Sequence, residues 1–343
     1  MRYLIIGAGA VGGAIGGRLA QAGHEVVLVA RGTQYEALRD HGLRLVTPDG
    51  PHIHRLPVVT GPEELGELSP DDVLVLAVKT QDSVAALDAW AGRPVAGGGT
   101  AAERLPLVCA QNGVESERLA LRLFRRVYGM CVWLPATFVE PGVVSAAGTP
   151  LTGILHIGRF PEGTDETARR ISADLEKSLF ESPVVPDVMR WKYAKLLGNL
   201  ANAIEAVSGV LTSEEGIALH GRARAEGEAV LAAAGIAFAS QEEEKESRGD
   251  KILPQLPLGV PPEPFDGSER GGGSSWQSLS RGTGTIESDY LNGEMGLLGR
   301  LYGVPTPVND VLQSLADRFA RERRPAGSMT VADLVAAADA ATR

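Results

Sequence analysis

The stretch Tyr3-Leu4-Ile5-Ile6-Gly7-Ala8-Gly9-Ala10-Val11-Gly12 decides the fold of the first half of the chain. Its apolar residues predict a short strand, and its glycines have the G-x-G-x-x-G spacing that opens a dinucleotide-binding βαβ unit. Gly7 would allow the tight turn, Gly9 would let a pyrophosphate approach the backbone, and Gly12 would let the helix pack on the strand. The predicted cofactor-binding residues of this turn are Gly7, Gly9, Ala10, Val11 and Gly12.

The residues after the turn predict which dinucleotide is bound. A helix from Val11 to Ala22 would point its N-terminal N–H groups and the positive end of its dipole at the phosphates. A second strand, from Glu25 to Val29, leads to Arg31, where an NAD-binding protein usually carries a carboxylate. A guanidinium there favours the 2′-phosphate of NADP. A lone glycine motif could be any glycine-rich turn, but the order of strand, turn, helix, strand and charge favours NADP(H).

Length and composition limit the class of protein. A chain of 343 residues predicts two domains, and a hydrophobic share of 44% allows both to bury a core. The net charge of −10 argues against nucleic-acid and anionic-membrane partners. Two cysteines are too few for a disulfide framework or a cysteine metal site. We expect a cytoplasmic protein with a small-molecule partner and no metal. The oligomeric state stays open, with a homodimer among the options.

Strand and helix patterns alternate through the first half, which predicts an α/β Rossmann-like doubly wound parallel sheet. A continuous apolar run from Asp72 to Val78 leads to Lys79, and a second, from Leu105 to Ala110, leads to Asn112. Ligands of open α/β sheets bind beyond the carboxyl ends of strands, so both polar residues are predicted at the nicotinamide end of the site. The alternative is that each is an ordinary solvated loop residue.

The second half reads as an all-α C-terminal domain after a boundary near residue 186. We therefore predict an NADP-binding domain over residues 1–186 and a helical substrate or dimerisation domain over 187–343. We expect the NADP-binding domain to be completed by β segments between Cys131 and Phe160, a helix over Thr167–Phe180 and a strand over Pro183–Val185. Residues 241–273, an acidic run followed by a Pro- and Gly-rich stretch, predict an inserted, partly ordered loop, with disorder or a mobile flap as alternatives.

Four helices are expected in this domain. One runs from Trp191 to Val207, and one begins at a capping box around Ser213 and extends to Gly235. Another starts near Thr285 and ends at Gly303. Thr306 and Pro307 suit the N-cap and first position of the helix that follows.

A polar stripe interrupts the apolar helix over Trp191–Val207. Lys195, Asn199 and Asn202 recur at i, i+4 and i+7, which places them on one face. An ammonium and two amides are costly to bury without partners, so the stripe either faces a polar cleft or is an ordinary solvent-exposed face. Lys192, one turn earlier, keeps the second interpretation open.

A second polar cluster runs from Ser274 to Gly293. Glu287 would lie in the first turn of a helix, where the dipole stabilises its charge, so it could simply be a favourable helix-start residue. Spacing does not separate that interpretation from a functional one.

Taken together, these pieces resemble the ketopantoate (2-dehydropantoate) reductase family. The motifs occur in the family's order over about residues 1–325, and the joint pattern is more specific than any one of them. They are GAGAVG at 7–12 with Arg31, VLAVKT with Lys79, QNG with Asn112, KLLGN at 195–199, Ser274-Ser275, and ESDYLNG at 287–293.

The resemblance implies a Rossmann domain, a helical domain and an active site between them, with hydride transfer from NADPH to the C2 carbonyl of a 2-oxo acid. It implies Lys195 as general acid and Glu287 as the carboxylate that anchors the substrate. Ser275 would hold the substrate carboxylate, while Asn112 and Lys79 would bind the nicotinamide ribose end. Asn199 and Asn202, on the face of Lys195, are assigned to substrate binding.

The pattern departs from the family at two positions. Gly272 stands where an asparagine is common, and Ser213 stands near where a further family asparagine is expected. Ketopantoate is therefore the expected substrate, with another 2-oxo acid or ketone as the alternative. A 3-hydroxyacid or glycerol-phosphate type dehydrogenase is disfavoured by the segment that begins at Glu287. A non-catalytic NADP(H)-binding sensor is the alternative from another class.

Overall fold

The structure, a computed structural model, describes residues 1–254, 273–282 and 284–342. The chain divides into two units. The first comprises Met1–Lys192 and the described part of Ser240–Pro261, and the second comprises Tyr193–Ala239 and the described part of Pro262–Arg343. The division after Lys192 falls close to the boundary near residue 186, which stays a prediction about domains.

The first unit contains all the described strands. They are β1 (Arg2–Ile6), β2 (Glu25–Val29), β3 (Leu43–Thr47), β4 (Gly50–His54), β5 (Val58–Val59), β6 (Asp72–Leu76), β7 (Leu107–Cys109), β8 (Val127–Trp133), β9 (Ala136–Glu140), β10 (Val143–Ala146), β11 (Gly148–Pro150), β12 (Gly153–Arg159), β13 (Phe180–Glu181) and β14 (Ile252–Pro254).

The helices are distributed over both units. They are α1 (Ala10–Gln21), α2 (Gly32–His41), α3 (Ser83–Ala91), α4 (Ala101–Arg104), α5 (Ser116–Leu121), α6 (Glu166–Lys177), α7 (Val188–Asn199), α8 (Ala201–Ser208), α9 (Glu214–Ala233), α10 (Gln241–Arg248), α11 (Ser274–Ser280), α12 (Asn292–Tyr302), α13 (Pro307–Arg321) and α14 (Val331–Thr342). Short 3₁₀ helices cover Pro62–Leu65, Thr80–Asp82 and Ser288–Tyr290.

The main sheet of the first unit has the strand order β13-β12-β8-β7-β6-β1-β2-β5. Its neighbours are parallel except β8 and β12, which are antiparallel. Successive β1 side chains point to opposite faces, so Tyr3 and Ile5 join one buried cluster with α1 and α6, while Leu4 and Ile6 join another with α3, α4 and α5. The doubly wound sheet predicted from the sequence is confirmed.

Two smaller sheets complete the first unit. One has the order β4-β3-β10-β9, and the other is the antiparallel pair β11-β14. The second unit, over its described residues, is built from helices alone, as predicted. No helix in the described ranges combines the length and apolar character that a membrane crossing requires.

The partly ordered loop predicted over 241–273 is wrong for the part that the structure describes. The acidic run forms α10, because Ser240 Oγ accepts from the Glu243 N–H (3.2 Å) and the Glu243 carboxylate accepts from the Ser240 N–H (2.8 Å). This is a capping box, and Arg190 adds an ion pair to Glu243 at 2.6 Å. The chain then forms β14, which pairs with β11. Residues 255–272 of the predicted loop lie outside the described residues.

Three other element boundaries differ from prediction. The helix expected over Trp191–Val207 is two helices, because Leu200 separates α7 from α8. The helix expected from Thr285 begins only at Asn292, after a 3₁₀ turn. The strand predicted over Pro183–Val185 is also displaced. Strand β13 precedes it, and at the predicted place the pairing is a single bridge from Val184 to Ile157.

Candidate active site

Four predicted cofactor-binding segments lie side by side at one edge of the main sheet. Strands β2, β1, β6 and β7 are consecutive neighbours, and their registers align the strand ends, with Ile6 opposite Val29 and Leu76, and Leu76 opposite Cys109. Neighbouring strands are about 4.8 Å apart. The segments that follow these ends carry Arg31, the glycine turn, Lys79 and Asn112, in that order across the sheet. We call this arrangement the strand-end row.

The glycines of the turn have different steric surroundings. Gly7 has φ +104°, and a methyl group there would lie 2.7 Å from the backbone nitrogen of Val78. A methyl group on Gly12 would lie 2.1 Å from the carbonyl oxygen of Gly7. A methyl group on Gly9 would have nothing within 4 Å. Gly7 and Gly12 therefore shape the turn, while Gly9 leaves free space above it.

The N-terminus of α1 is open to an anion. Gly9 is its N-cap without a side-chain cap, no acidic residue lies in the first turn, and Gly13 N–H makes the first bond to the Gly9 carbonyl (2.8 Å). The amides of Ala10, Val11 and Gly12 precede that first intrahelical bond. Their free donors and the helix dipole fit the pyrophosphate of a dinucleotide. Gln34 braces the turn, since its amide donates to the Ala8 carbonyl at 2.7 Å.

Arg31 is exposed at the end of β2 and is the N-cap residue of α2. Lys79, the N-cap residue of the 3₁₀ turn Thr80–Asp82, and Asn112, beyond β7, are both half-buried. A buried polar pair lies beside them, in which Gln111 Nε2 donates to Ser83 Oγ at 2.8 Å. Arg31, Lys79 and Asn112 thus each follow shortly after a strand of the main sheet.

The second unit carries the predicted substrate-binding face. Lys195, Asn199 and Asn202 are all half-buried, although the helix breaks after Asn199. Asn199 Nδ2 is enclosed by protein and has no hydrogen-bond partner. An enclosed amide donor without an acceptor is costly. A ligand oxygen at this place would relieve that cost.

Lys192 does not belong to the same exposed face. Its side chain is only 1% exposed and forms an ion pair with Glu117, whose side chain is fully buried. Burial raises the pKa of the Glu117 carboxyl, and Lys192 opposes that rise. Of the two lysines that spacing left open, Lys192 is buried in this ion pair and Lys195 keeps partial exposure, while the assignment of Lys195 to the substrate stays a prediction.

The start of α11 packs against the stripe. Gly273 N–H donates to Glu205 Oε2 over 3.0 Å, and a methyl group on Gly273 would lie 2.9 Å from Asn202 Oδ1. This contact brings Ser275, 3% exposed in the first turn of α11, to the neighbourhood of Asn202. Glu205 was not predicted as a site residue, although it follows Asn202 at i+3 on the same helix, which is a helical signal that could have identified it.

Glu287 was predicted in the first turn of an α-helix, and this is wrong. It is the N-cap residue of the 3₁₀ turn Ser288–Tyr290, where it is 9% exposed. The segment after it is fixed by Asn292, whose amide donates to the Leu200 carbonyl at 3.2 Å and to Asn309 Oδ1 at 3.0 Å. Asn292 therefore ties the Glu287 segment to the junction of α7 and α8.

The two positions that depart from the predicted family pattern have separate outcomes. Ser213 is the N-cap of α9, and its Oγ accepts from the Gly216 N–H at 3.1 Å. The hydroxyl therefore has a structural task in the second unit. Gly272 lies outside the described residues. Within the described part of the chain, no group of three or more His, Cys, Asp or Glu side chains could hold a metal ion.

Comparison with known proteins assigns the family. Residues 3–162 match the family "Ketopantoate reductase PanE/ApbA", and residues 187–320 match "Ketopantoate reductase PanE/ApbA C terminal". The chain belongs to the ketopantoate reductase family. The resemblance seen in the sequence motifs is thereby confirmed, and so is the class of enzyme, an oxidoreductase.

Individual relatives agree with this membership of the ketopantoate reductase family. The 2-dehydropantoate 2-reductase of Mesorhizobium japonicum is 30% identical over 355 residues, which cover 94% of this chain and 99% of the relative. The enzyme of the same name from Pyrococcus horikoshii is 26% identical, covering 92% of this chain and 96% of the relative.

Solved structures share the fold. A PanE/ApbA family ketopantoate reductase from Ralstonia eutropha JMP134 superposes with a TM-score of 0.74 at 25% identity, covering 94% of this chain and 100% of that one. D-mandelate dehydrogenase in complex with NADH and anilino(oxo)acetate gives a TM-score of 0.76 at 20% identity, covering 95% of this chain and 100% of that one. At such identity the second likeness concerns the fold alone.

Proposed function

We propose that the protein is an NADPH-dependent 2-oxo acid reductase that converts 2-dehydropantoate (ketopantoate) to pantoate in pantothenate and coenzyme A biosynthesis. The observation that carries the proposal is the strand-end row, in which an arginine, an uncapped helix N-terminus, a lysine and an amide follow adjacent parallel strands. Family membership and the names of the relatives support the substrate.

The cofactor proposal assigns one task to each part of the row. NADPH, when bound, supplies the hydride that the reaction consumes. The amides of Ala10, Val11 and Gly12 would bind the pyrophosphate, and Gly9 leaves it room. Arg31 would pair with the 2′-phosphate, because a planar guanidinium matches phosphate geometry. Lys79 and Asn112 would bind the ribose at the nicotinamide end.

The substrate proposal uses the second unit. Charge builds on the C2 carbonyl oxygen as the carbonyl is reduced, so the ammonium of Lys195 would stabilise that oxygen and then donate a proton to it. Asn199 would donate its unpartnered Nδ2–H to a substrate oxygen. Ser275 and Asn202 would hold the substrate carboxylate, and Glu287 would accept a hydrogen bond from a substrate hydroxyl.

Following NADPH absorbance with purified protein and a panel of 2-oxo acids tests the reaction. We expect rapid oxidation with ketopantoate, and a fall in kcat of roughly 10²–10⁴-fold for Lys195→Ala, the usual contribution of a positioned acid, with NADPH affinity nearly unchanged. Lys177→Ala, an exposed lysine at the end of α6, is the control. Lys192→Ala is unsuitable as a control because it would break the buried ion pair. Unchanged turnover in Lys195→Ala would remove that residue from its role.

The choice of cofactor has its own test. Arg31→Ala should lower kcat/KM for NADPH by roughly 10–100-fold, the value of one charge-assisted contact, and leave kcat/KM for NADH nearly unchanged. An equal effect on both cofactors would refute the assignment of Arg31 to the 2′-phosphate.

A second candidate is a reductase of the same family with another 2-oxo acid or ketone as substrate. It is favoured by Ser213, whose hydroxyl is occupied as the cap of α9. Oxidation of NADPH with an aryl or branched 2-oxo acid, but not with ketopantoate, would select this candidate. NADPH binding without oxidation by any member of the panel would select a non-catalytic sensor. Assembly into a homodimer stays a prediction, which size-exclusion chromatography with light scattering would test.

A further inference from the structure

Glu117 and Lys192 form an ion pair in the interior of the first unit. Their side chains are 0% and 1% exposed, so both charges are shielded from solvent. Lys192 Nζ donates to Glu117 Oε1, and Glu117 Oε2 has no hydrogen-bond partner. Such a pair is an expensive way to fill a core, because neutral apolar side chains of similar volume often serve stability equally well or better.

The two partners stand next to residues of the proposed site. Glu117 lies in the first turn of α5, just beyond the loop that carries Asn112. Lys192 lies on α7, three residues before Lys195, and it is the last residue of the first segment of the first unit. Since a helix turns once in 3.6 residues, the pair fixes α7 about one turn away from Lys195.

A buried polar chain begins at the residue before Glu117 and runs toward the strand-end row. Ser116, the residue before Glu117, has its Oγ 3.3 Å from Ser83 Oγ. Ser83 in turn accepts from Gln111 Nε2 at 2.8 Å. Ser83 begins α3 shortly after Lys79, and Gln111 precedes Asn112. Each member of the chain is thus a near neighbour in sequence of a predicted site residue.

We propose that Glu117 and Lys192 are positioning residues of the reductase, which fix the first turns of α7, the helix that carries Lys195. The inference rests on the proposed function. Two charges at contact distance restrict the relative placement of α5 and the first turns of α7 more than an apolar contact does, because the ammonium must meet the carboxylate oxygen. The ion pair therefore contributes geometry to the reaction, and neither partner touches the substrate or exchanges a proton with it.

The test compares the wild type with the double variant Glu117→Gln/Lys192→Met, which removes both charges and keeps the volumes. We expect a Tm within a few degrees of the wild type, NADPH Kd within twofold, and kcat reduced at least tenfold. The kinetic isotope effect with NADPH deuterated at the transferred position should increase, because chemistry becomes slower. Glu181→Gln/Lys251→Met, which removes a half-buried ion pair of 2.8 Å in the same unit, is the matched control and should leave kcat unchanged.

If the double variant does not fold, Lys192→Met alone is the second variant. Burial raises the pKa of the Glu117 carboxyl and Lys192 opposes that rise, so removal of the ammonium shifts the carboxyl further toward its neutral form. The same loss of kcat with unchanged NADPH Kd is expected.

Wild-type kcat and isotope effect in a folded variant would overturn the positioning role while leaving the proposed function intact. A wild type that oxidises NADPH with no member of the 2-oxo acid panel would refute the proposed function itself, and with it the inference.

Discussion

The side-chain amide of Asn292 donates to the carbonyl oxygen of Leu200 over 3.2 Å, across the break between α7 and α8. The same amide reaches Asn309 Oδ1 at 3.0 Å, and Asn292 is buried. Asn309 continues the network to the Ala223 carbonyl at 2.9 Å and to Glu226. Two buried amides, those of Asn292 and Asn309, therefore join the Glu287 segment to three other helices of the second unit, α8, α9 and α13.

Asn292→Ala should lower the free energy of unfolding by about 1–3 kcal/mol, because it leaves two buried acceptors without their donor. Urea denaturation measures the change. Arg300→Ala is the control on the same helix, since it removes an exposed ion pair to Asp310 that is worth about 0–1 kcal/mol. Equal losses in the two variants would contradict the structural role of Asn292.

Gly9→Ala and Gly12→Ala should separate a ligand-binding glycine from a structural one. A methyl group on Gly12 meets the Gly7 carbonyl oxygen at 2.1 Å, so this variant should lose about 1–3 kcal/mol of stability by overpacking. Gly9→Ala enters free space and should lose at most about 1 kcal/mol, yet raise NADPH Kd by roughly tenfold or more, because the methyl group displaces the pyrophosphate.

Fluorescence titration with NADPH and urea denaturation together read out both glycine variants. An NADPH Kd in Gly9→Ala equal to that of the wild type would show that the pyrophosphate does not lie over this turn.

Glu205→Ala should weaken substrate binding without affecting the cofactor. Its carboxylate accepts the Gly273 N–H at 3.0 Å, and loss of that contact would free the start of α11, which presents Ser275. We expect KM for the 2-oxo acid to rise about tenfold, equivalent to the loss of one good hydrogen bond. NADPH Kd should stay within twofold.

Glu205→Gln should restore most of the substrate affinity, because its amide oxygen accepts the same hydrogen bond. Ser208→Ala, which removes a local bond to the Ile204 carbonyl on the same helix, is the matched control. A normal KM in Glu205→Ala would mean that α11 holds its place without this contact.

The pH dependence of stability should report on His156. Its ring stacks on Trp191 at a centroid distance of 4.3 Å and meets Trp133 edge-on at 5.3 Å. Burial lowers its pKa to about 4, with Lys251 adding to the effect. In the unfolded chain this histidine has a pKa of about 6.5 and binds a proton at mildly acidic pH. In the folded protein it stays neutral at the same pH. The contribution of this group to stability is therefore present at neutral pH and lost as the pH falls from about 6.5 toward 4.

His156→Phe keeps an aromatic ring and removes the titration. Between about pH 7.5 and 5, the wild type should lose on the order of 2 kcal/mol more than the variant, as linkage requires for such a shift. Urea denaturation at the two pH values gives the difference. His41→Ala changes an exposed histidine and should follow the wild type. Parallel losses in wild type and His156→Phe would place the pKa of His156 near its ordinary value.

The strand-end row could be predicted from the sequence because its signals are local. Each signal spans only a few consecutive residues: the glycine spacing, the apolar runs and the residue that follows each run. Parallel strands then bring their carboxyl ends to one edge of the sheet. Helical spacing also predicts one face for Lys195, Asn199 and Asn202, and this stays a prediction because α7 ends at Asn199 and Asn202 lies on α8.

Contacts between distant segments were not predictable. Lys192 and Lys195 look alike in sequence, and only the position of Glu117 shows that the first is a buried partner. Glu205 gains its role from Gly273, at the end of a Pro- and Gly-rich stretch. The acidic run of α10 resembles a solvated loop until Ser240 is recognised as its cap and Arg190 as the partner of Glu243.

The antiparallel pair of β11 and β14 has a consequence for the order in which the protein matures. The ribosome must pass residue 254 before the first unit has β14, its last strand. The same segment supplies Ser247, whose hydroxyl hydrogen-bonds His156, and Arg248, whose guanidinium lies over the Trp133 ring. Helices α8 and α9 emerge earlier than that. A fragment that stops at residue 192 would leave these partners exposed, so we expect the nascent Rossmann half to stay incomplete until the intervening helical segment has been synthesised.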